Sequence, residues 1–158
     1  LCGLLAPAAG TIAWNGNDIR TAREDYCAQL AYVGHLNGIK DDLSPLENIH
    51  YSARAAGLAA GAAPAEDALR RVGLDGFRHA PCRTLSQGQR RRVALARLCL
   101  SAERQLWILD EPFTALDDAA LALTQKLLES HLQSGGMLVL TSHQDAPVAA
   151  GSLQRIEL

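Results

Sequence analysis

Apolar and polar positions alternate between two rhythms along this chain, and the rhythms divide it into elements. Gly10 to Trp14 (GTIAW) has strand composition and runs into an Asn15-Gly16 pair, a turn signal. Leu30 to Val33 is a second short apolar strand, ending at Gly34-His35. Ser44-Pro45-Leu46-Glu47 then predicts a helix start. Serine caps, proline suits the first helical position, and Glu47 completes a capping box. Leu46, Ile49, Ala53 and Ala56 follow at helical spacing.

The alanine- and glycine-rich stretch from Ala55 to Ala65 predicts a loop or weak helix end, and Asp67 to Val72 a resumed helix. Ser86 opens a further helix reaching about Leu100. Leu106 to Leu109 and Met137 to Leu140 read as buried strands, with a helix over Leu116 to Leu132 between them and a last short strand at Leu153 to Leu158. Strands toward both ends with a helix-rich insert between them predict an α/β core carrying a helical subdomain.

Composition narrows the function classes. Of the 158 residues, 48% are apolar and 20% charged, with a net charge of −2. That balance suits one globular domain and argues against a general nucleic-acid binder, whose footprint is strongly basic. Aromatics at 4% are too few for a base-stacking platform. Cys2, Cys27, Cys82 and Cys99 form no C-x-x-C pair and read as small hydrophobes in a reducing compartment. No apolar run approaches a membrane span, and no signal peptide opens the chain. It begins Leu-Cys-Gly-Leu-Leu, and its one methionine is Met137. We therefore expect an N-terminal part upstream of Leu1, with Leu1 to Leu5 the last turn of a helix stopped by Gly3 and Pro7.

Two stretches carry candidate chemistry. In Leu106 to Glu111 (LWILDE), four apolar residues deliver Asp110 and Glu111 to the C-terminal end of a strand, the edge where open α/β sheets bind ligands. Asp110 suits a Mg²⁺ ion, which takes hard oxygen ligands and keeps several waters. Glu111 suits the orientation or deprotonation of a water attacking a phosphoryl group. An acidic turn after a strand is the plain alternative for this stretch alone. In Thr84 to Leu98 (TLSQGQRRRVALARL), Ser86 and Gln89 stand in capping-box spacing. A helix N-terminus offers free N–H groups and a positive dipole end, and Gly88 leaves the approach open, so the stretch suits an anion such as a γ-phosphate. Taken alone, a capped helix is the better account of it.

In series the motifs say more. LSQGQ, WILDEP, TALD and Thr141-Ser142-His143 resemble, in order and spacing, the signature, Walker B, D-loop and H-loop motifs of ABC-type ATPases. VGHLNGIKDDLSPLENIHY, CRTLSQGQRRRVALARL and LWILDEPFTALD are further similar to the ATP-binding subunits of bacterial haem exporters that serve cytochrome c maturation. The resemblance implies a P-loop NTPase (RecA-like) core formed by residues 1–36 and 102–158, with residues 37–101 as the inserted helical subdomain. It implies ATP and Mg²⁺ as cofactors, a second ATPase subunit in a head-to-tail dimer, and integral membrane subunits at the cytoplasmic face of a bacterial inner membrane.

By the same resemblance Asp110 is the Mg²⁺ carboxylate and Glu111 the catalytic base, with His143 positioning it and touching the γ-phosphate. Ser86, Gly88 and Gln89 contact ATP held by the opposite subunit, and Asp117 works across the interface. His35 stands where most relatives carry the Q-loop glutamine, and Gln87 where glycine is usual. The chain holds only Lys40 and Lys126, neither after a glycine, so no G-x-x-x-x-G-K-[ST] P-loop is present. The resemblance places that loop upstream of Leu1, and the present residues alone are not expected to hydrolyse ATP.

Other readings stay open at this level. One is an ABC ATPase for a different cargo. Another is a non-enzymatic subunit lending its signature to a partner's ATP. A chromosome-maintenance ATPase is disfavoured by the lack of long coiled-coil heptads. Arg90 to Arg92 read as a solvated helix face, with contact to phosphate or a partner subunit as the other reading. Cys82 reads as a buried or loop thiol, and His50, His79 and His131 have no ligand spacing.

Overall fold

The computed structural model describes residues 1–58, 61–143, 148–149 and 151–156. Its centre is a parallel three-stranded sheet in the order β3 (Leu30–Val33), β4 (Leu106–Asp110), β5 (Met137–Thr141). Leu30 pairs with Leu106, and Leu106 with Met137, so the three strands run in step to the acidic end. A short antiparallel hairpin, β1 (Ala13–Trp14) and β2 (Asn17–Asp18), forms a separate sheet whose Trp14 packs against the cluster of Leu30, Leu106 and Ile108. Its turn is the expected Asn15-Gly16 pair, with φ of 50° and 80°. Two successive left-handed residues give the primed turn that matches strand twist.

The helices follow from local chemistry. In α2 (Pro45–Ala55) Ser44 and Glu47 form the expected capping box, with the Glu47 carboxylate accepting from Ser44 N–H at 2.8 Å. Helix α3 (Ala62–Arg71) starts earlier than the sequence pattern predicts, because Gly61 caps it and its alanines propagate it well. Helix α4 (Gln87–Cys99) and helix α5 (Asp118–Gln133) lie close to expectation. Helix α1 (Arg23–Gln29) was not anticipated: only Tyr26 of its seven residues is buried, so it carries almost no apolar period.

Three expectations are corrected. Leu1 to Leu5 form no helix turn: Gly3 to Leu5 are bends, with Gly3 at φ 70°. Leu153 to Ile156 join no strand, and Glu157 and Leu158 lie outside the described residues. Strand β5 is half exposed, not buried. Leu138 and Leu140 pack on the main core, while Met137 and Val139 line an open apolar cavity of about 600 Å³ with Trp14, Tyr26, Leu106 and Ile108.

The main core fills the space between the sheet and α2, α3, α4 and α5, with Ile49, Leu69, Leu95, Leu98, Trp107, Leu109 and Leu128 almost wholly buried. Helix α4 packs on α2, α3, α5 and β3, so one apolar core serves both the sheet and the helices. Trp107 stacks flat on His131, ring centroids 3.8 Å apart. The His131 ring lies against Gly136, where an added Cβ would fall 2.2 Å from it. Its Nε2 lies 3.2 Å from the Met137 carbonyl, which can only accept, so the ring donates there. Among the described residues no helix is long and apolar enough to cross a membrane. Cys82 is a buried thiol, as expected, and takes a bond from Asn48 Nδ2 at 3.3 Å.

Burial pushes the His131 pKa below its ordinary value of 6.5, against two backbone bonds that raise it. Below pH 6.5 the unfolded chain therefore binds a proton that the folded chain resists. Stability is full above that pH and falls as pH drops toward the folded value. The chain is expected to show a lower urea midpoint at pH 5.5 than at pH 7.5. The His131→Phe variant, which keeps the stack without the titration, should lose part of that slope.

Candidate functional site

The acids sit where the sheet ends. Asp110 is the last residue of β4 and pairs with Thr141, the last of β5. The Thr141 hydroxyl donates to Asp110 Oδ1 at 2.6 Å, and Glu111 N–H donates to Thr141 Oγ1 at 3.1 Å. One threonine thus aligns both carboxylate-bearing residues. Glu111 breaks from the strand with φ 52°, a left-handed conformation that non-glycine residues seldom adopt. Such strain persists only where neighbours over-determine it, and here bonds hold both its N–H and its carbonyl.

The Glu111 carboxylate takes two contacts. His143 Nε2 lies 3.3 Å from Oε1, and the Thr114 hydroxyl 3.4 Å from Oε2. The His143 side chain is 94% exposed and that of Glu111 20% exposed, so the imidazole stands in solvent while the acid is largely covered. Asp110, Glu111 and His143 are brought together as the motif order predicts. Thr141 was read only as part of the TSH motif; its role comes from strand register, which pairs it with Asp110.

Arg91 is the residue that sequence reasoning misplaced. Expected on a solvated face, it is only 4% exposed. Its Nη1 donates to Gly34 O at 2.8 Å and Asn37 Oδ1 at 3.1 Å, and its Nη2 to the Asp110 and Glu111 carbonyls. Burial lowers its pKa, an effect opposed by the charge of Asp110. A signal existed in the spacing, since Arg91 shares the buried stripe of Ala94, Leu95 and Leu98. Arg92 donates to the Val72 and Gly73 carbonyls, and Arg90 pairs with Asp41, so none of the three arginines is idle.

The second group lies at the start of α4. Ser86 N–H donates to Gln89 Oε1 at 2.8 Å, and Gln89 N–H to Ser86 Oγ at 3.2 Å, the full capping box. These bonds fix the Gln89 amide, turning its NH₂ away from the cap, and leave the Ser86 hydroxyl proton to donate elsewhere. Gly88 has a reason beyond an open approach: a Cβ there would stand 2.3 Å from the Ala115 carbonyl. Ala115 itself is left-handed at φ 64°. Asp117 caps α5, its Oδ1 accepting from Ala120 N–H at 2.8 Å. His35 is exposed on the segment after β3, and the Arg91 bridge beside it, at Gly34, reaches the backbone of the acids.

Among the described residues no group of three His, Cys, Asp or Glu side chains is arranged to hold a metal ion. Mg²⁺ needs no such cage, since it binds through one or two carboxylates, waters and phosphate oxygens. Asp110, with one oxygen anchored by Thr141 and the other turned from that bond, fits that limited duty.

The ABC transporter family model matches residues 1–114. The chain is 49% identical over 158 residues to the cytochrome c biogenesis ATP-binding export protein CcmA of Nitrosospira multiformis, covering all of this chain and 76% of that protein. It is 49% identical over the same length to the CcmA of Dechloromonas aromatica, covering 77% of it. A solved structure described as the ATP-binding subunit of an ABC transporter superposes with a TM-score of 0.74 at 26% identity. The match covers 90% of this chain, which spans 60% of the solved one.

The Gly88–Ala115 approach is testable by itself. Gly88→Ala is expected to lower the urea-unfolding free energy by about 1–3 kcal/mol, the usual cost of overpacking. Gly76→Ala, where an added Cβ meets nothing within 4 Å, should leave it nearly unchanged.

Proposed function

The chain belongs to the ABC transporter family, and on that premise we propose that it is the ATP-hydrolysing subunit of a haem-export or haem-chaperone-release system of cytochrome c maturation. The observation that carries the catalytic part is the Glu111–His143 pair at the ends of two adjacent parallel strands, with Asp110 beside it. The cargo part rests on the printed names of the relatives alone.

In this reading Asp110 holds Mg²⁺, which would neutralise charge on the phosphates when bound. Glu111 orients the attacking water and accepts its proton, and His143 keeps the carboxylate turned toward that water. The strained φ of Glu111 aims its side chain off the strand line. The Ser86 hydroxyl, the α4 N-terminus at Gly88 and the Gln89 amide NH₂ donate to the γ-phosphate of ATP held by a second subunit, arranged head to tail. These donors are pre-set by the capping box, so binding need not reorganise them. Asp117, fixed as a helix cap, lies at that interface. His35 supports a water near the metal.

The nucleotide-binding core consists of residues 1–36 and 102–158, and residues 37–101 form the helical subdomain that passes the ATP cycle to membrane subunits. The site of action is the cytoplasmic face of a bacterial inner membrane, with no role for nucleic acid.

In the full-length protein Glu111→Gln should cut ATP turnover by about 100-fold or more, the usual worth of a general base. It should also accumulate an ATP-bound dimer on size-exclusion chromatography. Unchanged hydrolysis would remove Glu111 from the role. Co-purification with membrane subunits of another exporter would redirect the cargo assignment while leaving the ATPase intact.

A further inference from the structure

We infer that Arg91 is a positioning residue that couples the His35 segment to the catalytic end of β4, an inference that rests on the ATPase reading above. One guanidinium nitrogen serves each side. Nη1 bonds the carbonyl of Gly34 and the Asn37 side chain, which flank His35 and Leu36. Nη2 bonds the carbonyls of Asp110 and Glu111, the second at 3.0 Å. The fork is planar and rigid, so a shift of the His35 segment is carried to the backbone that aims Glu111.

The surroundings make this a linkage and not a surface contact. Arg91 is buried on α4 among Ala94, Leu95 and Leu98, and so cannot follow the loop by swinging into solvent. Arg97, two turns along the same helix, holds the far end of the segment through the Asn37 carbonyl at 2.9 Å and the Gly38 carbonyl. His35 and Leu36 are thus exposed between two anchored ends, Leu36 at 84%. The strained Glu111 backbone depends on Arg91 at its carbonyl and Thr141 at its N–H. The β3–β4 ladder joins the two backbones as far as Val33 and Leu109, and Arg91 carries the link past its end to Glu111. Lysine preserves the charge but offers a single nitrogen, which cannot hold both sides.

The test compares steady-state ATP hydrolysis of the full-length protein with its Arg91→Lys, Arg91→Gln, His35→Ala and Arg92→Lys variants, at a temperature where circular dichroism shows each folded. Arg92→Lys removes carbonyl bonds on the same helix but away from the acids. Arg91→Lys is expected to lower kcat about tenfold or more, as small misplacements of catalytic groups do. KM for ATP should stay within about twofold, since misaimed Glu111 affects the chemical step and not binding. His35→Ala should change kcat less in the Arg91→Lys background than alone, the non-additivity of a shared path. Equal falls in kcat for Arg91→Lys and Arg92→Lys, or additive effects with His35→Ala, would show a purely structural arginine and overturn the inference alone. If only Arg91→Gln fails to fold, Arg91→Lys decides. An inactive wild-type protein would overturn the ATPase reading and this inference with it.

Discussion

Burial of β4 is the constraint on which the rest of the molecule depends. Leu106, Trp107, Ile108 and Leu109 are all at most 7% exposed, and the strand is hydrogen-bonded on both edges. A strand covered on both faces and paired on both sides cannot slip register without exposing its apolar set. Asp110 and Glu111 therefore emerge at one fixed height, level with Thr141 on the neighbouring strand. Trp107 extends this order sideways, because its stack on His131 ties β4 to α5 and, through Gly136, to the approach of β5.

Helix α4 joins that strand to everything else. Its apolar stripe closes the core over the sheet, and its arginines bond carbonyls in three separate loops, at Gly34–Gly38, Val72–Gly73 and Asp110–Glu111. Charge-assisted bonds to carbonyls are stronger than neutral ones, and here they satisfy acceptors that are largely part-buried. Its N-terminus meanwhile stays outside the core with its donors arranged by Ser86 and Gln89. One helix thus carries an anion-binding end, a packing face and the bridge between the His35 segment and the acids.

The left-handed residues mark where packing overrides preference. Glu111 and Ala115 both take positive φ without being glycine, four residues apart in the loop after β4. Each is pinned by a close neighbour, Arg91 and Thr141 for the first and Gly88 for the second. Gly88 is small because the Ala115 carbonyl occupies the place of its side chain. The signature loop and the loop after the acids are consequently fitted to each other within a single chain.

Local chemistry made much of this legible beforehand. Strand β3, both capping boxes, the Asn15-Gly16 turn and the limits of α4 and β4 follow from propensity, period and short-range hydrogen bonding, which act over a few residues. The motif series likewise pointed to Asp110, Glu111 and His143 as neighbours, and to the family. What the sequence could not decide were the features that depend on long-range partners. The exposure of β5 depends on what covers each sheet face, and α1 is held with little apolar period of its own. The burial of Arg91 requires two segments distant in sequence, Gly34–Asn37 and Asp110–Glu111, to present acceptors at one point. A charged residue reads as solvated until its partners are in place, because only tertiary structure supplies the acceptors that offset the cost of burying it.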